Sequence, residues 1–175
     1  MRLIGEKIYL REIEISDSDN IIRWRNQEDV KKYFISQETF TREGHLEWIH
    51  NFVAAGKAVQ FIIIDKKTDK PLGSVYLRDL DYKNSKCEFG IFIGEKDYLG
   101  YGIGTEAAVL IMKYAFEELK MNKVFLRVLA DNLRAIQSYL KAGFQLEGTF
   151  KQDVCINGKF TDVIFMAILQ EEYNT

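Results

Sequence analysis

The chain has 175 residues, a length that suits one domain over 1–175. Its formal net charge of -2 leaves no basic footprint for nucleic acid, and a hydrophobic content of 47% is ample for a core. No apolar run approaches the roughly 18 residues a membrane span needs. The opening stretch is broken by Glu6, Lys7 and Arg11, so no signal peptide is expected. A cytoplasmic protein with no membrane partner is the expectation. Cys87 and Cys155 are too isolated for a disulfide framework or a zinc site, and both read as small buried hydrophobes. His45 and His50 lie at a poor helical spacing for a shared ion, so no metal is expected.

In chain order, Lys7 to Ile15 alternates as a strand. Ser16 and Asp17 offer an N-cap for a helix through Arg25, and a second helix begins near Phe40–Glu43. The apolar face of that second helix is Leu46, Ile49, Phe52 and Val53. Strands follow over Val59–Asp65, Leu72–Leu80 and Lys86–Ile93, separated by polar turns. From Glu106 the apolar residues Ala107, Leu110, Ile111, Tyr114, Ala115 and Leu119 recur at helix spacing. A strand spans Lys123–Leu129 and a helix Leu133–Ala142. Gln145–Cys155 and Phe160–Leu169 then form a hairpin about Asn157-Gly158, a strong turn signal. Grouped strands followed by alternation predict an α+β fold. The expectation is a mixed, mostly antiparallel twisted sheet of about seven strands with helices on both faces.

The segment Leu99-Gly100-Tyr101-Gly102-Ile103-Gly104-Thr105 sits between the strand ending at Ile93 and the long helix. Glycines at 100, 102 and 104 let backbone N–H groups turn toward an anion, and the helix dipole adds to the attraction. A phosphate or pyrophosphate is one reading; a ligand-free turn is the other. A dinucleotide fingerprint needs Gly or Ala where Thr105 stands, and a phosphate-hydrolase loop needs Gly-Lys-Ser/Thr where the chain has Gly-Thr-Glu. Further on, Asn132 is a plausible N-cap and Gly143 a plausible left-handed C-cap. Between them Ala135 and Tyr139 share one helix face.

The two segments together resemble the acetyl-CoA-binding core of the GNAT N-acetyltransferase superfamily. Leu99–Gly104 falls on the family's Gln/Arg-x-x-Gly-x-Gly/Ala loop, with Leu99 where Gln or Arg is usual. Asn132–Phe144 matches the second motif without a gap. The hairpin ending Ile156–Val163 resembles the ribosomal-protein and spermidine acetyltransferase branches. Arg23-Trp24-Arg25-Asn26, His45–Ile49 and Cys87–Gly90 are similar to amino-sugar nucleotide N-acetyltransferases of the pseudaminic-acid pathway.

The resemblance implies acetyl-CoA as co-substrate, bound along Ile91 and Ile93, over Leu99–Thr105, and by Asn132, Ala135 and Tyr139. It implies transfer to a primary amine, and homodimerisation is an expectation from the resemblance only. The acceptor expected first is a UDP-linked 4-amino sugar, held by Trp24, Arg25, Asn26, His45, Trp48 and Glu88. A polyamine or a ribosomal-protein N-terminus is the alternative, and a non-catalytic acyl-CoA-binding module a further one. Tyr139 and Glu88 favour an enzyme over a module. The family tyrosine points at the CoA sulfur, which makes Tyr139 the general acid for the leaving thiolate. Glu88 is the candidate base; it could equally hold a substrate ammonium or pair with a basic side chain. Glu106 is well explained by the helix dipole. Gly90 and Gly94 either mark a bulge that frees amides for the thioester oxygen or relieve packing.

Overall fold

Alternation along the strands decides which side chains face each layer of helices. Ile8 and Leu10 enter the larger core with Phe61, Ile63, Val75 and Leu77, while Tyr9, Ile62, Ile64 and Phe92 face the other side. The strands are β1 (Arg2–Ile4), β2 (Ile8–Glu12), β3 (Val59–Asp65), β4 (Pro71–Asp81), β5 (Lys86–Ile93), β6 (Lys123–Leu129), β7 (Gln145–Ile156) and β8 (Lys159–Leu169). They form one sheet in the order β1-β2-β3-β4-β5-β6-β8-β7, antiparallel throughout except between β5 and β6. This computed structural model describes residues 1–173; positions 174 and 175 of the expected domain lie outside the described residues. Eight strands replace the expected seven. The added one, β1, is a three-residue edge strand too short to show a pattern.

The long helix α4 (Ile103–Glu117) buries Ile103, Ala107, Ala108, Ile111, Met112, Ala115 and Phe116 in the larger core. It starts three residues before the expected position, so Gly104 and Thr105 belong to its first turn. On the opposite face α1 (Ser18–Arg25) drives Ile21 and Trp24 into the smaller core. Each such fully buried side chain contributes about 2 kcal/mol. A short α2 (Glu28–Lys31) was not expected; four residues carry no periodicity. The next helix, α3 (Arg42–Trp48), is capped by Thr41 Oγ1, which accepts from the Gly44 amide at 3.1 Å. It then widens into a π-turn over Ile49–Val53, closed by the Ala54 amide donating to the Ile49 carbonyl. Phe52, within that turn, is exposed, against the expected apolar face, and His45 of α3 is buried instead. α5 (Leu133–Lys141) and α6 (Gln170–Tyr173) complete the described helices.

The hairpin turn has the expected form, with Asn157 and Gly158 both at positive φ. Cys87 is buried, and burial pushes its thiol up to about 12, which makes it inert. Cys155 is exposed, against expectation, because β7 lies at the sheet edge with most of its residues in solvent.

Trp24 is anchored beyond its packing. Its Nε1 donates to Glu95 Oε1 at 2.8 Å, and the same carboxylate takes Arg23 and Lys70 at 2.8 Å each. Burial opposes ionisation there, but the Lys70, Arg23 and Trp24 donors outweigh it and hold the Glu95 carboxyl at about 2. A folded value below the unfolded one gives stability present above the ordinary carboxylate range. It is lost as pH falls toward about 2. Glu95→Gln is expected to cost about 2 kcal/mol at neutral pH and to flatten this acid limb. Urea titrations of both proteins from neutral pH down to pH 3 check it.

Candidate active site

The site begins where two strands part. β5 and β6 pair only over Lys86–Glu88 with Lys123–Phe125, yet β5 runs on to Ile93 and β6 to Leu129. Beyond Glu88 the two strands form a wedge, and β5 presents an edge without a strand partner. No bulge is needed to free those amides: β5 stays in register with β4 from Glu88 to Ile93. The glycines serve packing instead. A Cβ at Gly90 would run into the Tyr76 ring, and one at Gly94 into the Trp24 indole.

The wedge opens into a cleft of about 1110 Å³. Its walls include Ile91, Ile93, Leu99, Gly100, Gly102, Ile103, Gly104, Thr105, Asn132, Ala135 and Tyr139, all expected at the cofactor. Tyr101 is the exception. Its side chain is 66% exposed and lies outside the lining, and its carbonyl accepts from Lys7 Nζ at 3.1 Å. Gly100 and Gly102 both sit at positive φ, 87° and 80°, which brings the chain around into the helix. The first-turn amides of α4 have no carbonyl one turn back to bond, so they remain donors facing this end of the cleft. Glu106 is not merely a dipole partner: its Oε1 accepts from the Lys7 amide at 2.9 Å, fixing the start of β2 beside the loop. Across the cleft Asn132 caps α5 by accepting from the Ala135 amide at 3.3 Å, and Gly143 adopts φ 101° at the helix end. Thr105 Oγ1 and Ser138 Oγ lie 2.9 Å apart and tie α4 to α5.

Tyr139 is half-buried in an aromatic collar, edge-on to Phe89 at 5.7 Å and to Phe144 at 6.0 Å. Its hydroxyl has no hydrogen-bond partner among the described residues. Burial, with Tyr76 adding, pushes its pKa above the ordinary phenol value, so the group stays protonated.

Glu88 stands at the apex of the wedge and is not free. Its Oε2 accepts from Arg78 at 2.9 Å and its Oε1 from Arg127 Nε at 2.8 Å, with Arg127 Nη2 3.2 Å from Oε2. Arg78 is its cross-strand partner in β4, and Arg127 projects from β6. Burial alone would raise this carboxyl, but the hydrogen bonds from Arg127 and Arg78 outweigh it and hold it below the ordinary value. A base needs a raised pKa and an open lone pair. The two arginines hold the Glu88 carboxyl down instead of raising it, and of its three expected roles the ion pair is the one observed.

The residues expected at the acceptor divide. Trp24 is fully buried, edge-on to Phe92 at 6.3 Å, and cannot stack on a base. Asn26 is structural: its side-chain amide exchanges two hydrogen bonds with the Phe40 backbone at 2.9 and 2.8 Å. His45 and Trp48 border a second cavity of about 440 Å³ rather than the main cleft. His45 is 1% exposed, and burial lowers its pKa, so it is a neutral ring in the interior. Trp48 donates to Gln60 Oε1 at 2.8 Å and stacks on Phe52. Arg25 alone borders both cavities on a charged side chain.

Several cleft residues escape a sequence reading: Lys7, Tyr76, Arg78, Arg127 and Arg134. The usable signal was the alternation Ser74, Tyr76, Arg78, polar positions on a strand whose other face holds Val75 and Leu77. Lys7 and Arg134 carry no such signal, since contact across the fold brings them to the cleft. Among the described residues no group of three or more metal-ligating side chains occurs, and no helix is long and apolar enough to cross a membrane.

A splayed β5–β6 pair, a positive-φ glycine loop at a helix start and a tyrosine at the wedge thus line one cleft. The model of the acetyltransferase (GNAT) domain matches residues 7–145, and the chain belongs to that family, as an acetyl-CoA-dependent N-acetyltransferase. It is similar to the uncharacterized N-acetyltransferase p20 of Bacillus licheniformis, 28% identical over 98% of this chain and 97% of that one. It is also similar to the spermidine N(1)-acetyltransferase of Escherichia coli K12, 29% identical over 97% of this chain and 89% of that one. Among solved structures, the spermidine N-acetyltransferase of Vibrio cholerae in complex with CoA and spermine superposes with a TM-score of 0.90. It is 25% identical, and the match covers 98% of this chain and all of that one. None of these relatives is named for an amino-sugar acceptor.

Proposed function

We propose that this cleft acetylates a small primary amine by direct attack, with Tyr139 as the general acid. The observation that carries the reading is the Tyr139 hydroxyl, half-buried in the cleft, protonated and without a hydrogen-bond partner among the described residues, beside the open edge of β5. The glycine loop and the first turn of α4 fit the pyrophosphate of acetyl-CoA, with Lys7 at the loop. The unpaired edge from Phe89 to Ile93 fits the amides of the pantetheine arm. Acetyl-CoA supplies a thioester, whose acyl carbon takes the amine and whose sulfur leaves with a proton.

The residues then divide the work. Donors on the β5 edge would face the carbonyl oxygen as charge gathers on it, an arrangement worth about 3 kcal/mol. Tyr139 donates a hydrogen bond to the departing sulfur. The proton that ends on sulfur is balanced by the one lost from the amine nitrogen. With Glu88 paired, the amine loses its proton to water rather than to a dedicated carboxylate. An alkyl amine is about one part in a thousand neutral at pH 7. kcat/KM should therefore climb with pH toward the amine's own pKa, without a separate inflection in the carboxylate range. Initial rates from pH 6 to pH 10 with two amines of different basicity check this; an inflection common to both would restore an enzyme base.

Spermidine, the substrate in the names of two of these relatives, is the second reading, favoured by those names alone. The direct test follows thiol release from acetyl-CoA with a panel of primary amines, and product mass. Release with an amine and acetylated product support the reading; tight CoA binding with no release from any amine would favour a binding module.

A further inference from the structure

Arg25 is a cation without an anion. It extends from the end of α1 to the boundary of the two cavities, bordering both together with Ser36. Its guanidinium carbon lies 3.2 Å from the Phe34 ring centroid and 4.9 Å from that of Phe40. Nη1 is buried with no hydrogen-bond partner, and no carboxylate among the described residues pairs with the group. Burial, opposed by Tyr76 and joined by Arg78, lowers it to about 10, still cationic at neutral pH. Aromatic faces offset part of the cost of such burial, but they accept no N–H bond in the guanidinium plane.

The carboxylates around it are either paired already or turned to solvent. Glu88, the carboxylate deep in the cleft, is already neutralised by two arginines. Glu38 and Glu47, on the border of the second cavity, are exposed to solvent. A polycation would thus meet a half-buried cation without an anionic partner and no free buried carboxylate. A group with two acceptor oxygens would satisfy the guanidinium fork, as planar bidentate recognition requires.

We propose that the acceptor is an amine that also carries an anionic group, carboxylate or phosphate, and that Arg25 holds that group while the amine faces the wedge. The proposal rests on the cleft being the acceptor site of an N-acetyltransferase. It departs from the substrates named for the relatives, which are amines without an acidic group.

The test uses matched acceptors: ornithine against putrescine for a carboxylate, and phosphoethanolamine against ethanolamine for a phosphate, with spermidine alongside. The anionic member of at least one pair is expected to have a kcat/KM at least tenfold above its partner and above spermidine. Which pair responds tells carboxylate from phosphate. Arg25→Gln should erase that preference, and Arg25→Lys should restore part of it, with CoA affinity unchanged in both. A second readout is independent of turnover: calorimetric binding of each amine to the CoA-loaded protein. If no amine is acetylated, the proposed function fails, but tighter binding of the anionic members that is lost in Arg25→Gln still supports the subsite. Equal or weaker binding and turnover of the anionic members overturns it, as does a preference that survives Arg25→Gln in a folded, CoA-binding protein.

Discussion

Tyr139→Phe should lower kcat by about two to three orders of magnitude while leaving the affinity for CoA within about twofold. The ring contributes packing, edge-on to Phe89 and Phe144, and a phenyl group keeps those contacts. Only the hydroxyl is lost, and among the described residues it has no hydrogen-bond partner whose loss would disturb the fold. Its proposed role falls on the leaving sulfur, so the effect is expected in the chemical step rather than in ground-state binding. Burial holds the phenol protonated, which means the wild-type rate should show no loss attributable to tyrosine ionisation below pH 10. A leaving group of lower basicity needs less help. A thioester of a more acidic thiol should therefore narrow the gap between wild type and variant. Stopped-flow or steady-state thiol release measures the rate and calorimetry the CoA affinity. A variant turning over at the wild-type rate removes Tyr139 from the chemistry.

Glu88→Ala is expected to destabilise the fold by about 3 kcal/mol, a loss visible as a lower midpoint in urea. The carboxylate is 4% exposed and bridges Arg78 of β4 to Arg127 of β6. Deleting it leaves two guanidinium groups facing one another where the strands begin to part. Glu88→Gln keeps the shape and one acceptor oxygen, so its cost should be smaller. The pH dependence follows from the depressed carboxyl: its contribution is complete above the ordinary carboxylate value. It is lost as pH falls through the lower folded value. These measurements separate a structural bridge from a base. A bridge loses stability in both variants, and the Gln variant, once folded, retains a large share of its rate. A base loses rate in both while the Gln variant stays close to wild type in stability.

The parts of the molecule that were legible in the sequence are those where local chemistry decides the outcome. Asn132 caps a helix because a short side-chain oxygen can reach the Ala135 amide, and Asn157-Gly158 turns because both residues tolerate positive φ. The glycine loop belongs to the same class. Long-range contacts were not legible. Glu88 looked like a base because nothing in its own strand names Arg127, which the β5–β6 crossover brings alongside. Trp24 looked available for stacking because its pattern cannot reveal that Gly94 makes room for the ring. The second helix had a sound apolar face, but it widens into the π-turn at Ile49–Val53, where Phe52 is exposed. The acceptor end is built mainly from such contacts. The glycine loop and α5 are built mainly from local ones, which is why they could be read and the acceptor end could not.

The open edge of β5 carries a consequence for how such proteins diverge. An edge strand offers main-chain N–H and C=O groups, which every residue except proline supplies equally. A ligand arm held that way places almost no demand on side-chain identity along the strand. Side chains there answer to the two cores rather than to the ligand arm, and a chain a quarter identical shares the fold. A proline that removes a cleft-facing N–H should register at once in CoA binding; alanine at Phe89 or Phe92 would register in stability, because both rings are buried in the cores. What a lineage must keep is the divergence of two strands, and many different sequences can encode that angle.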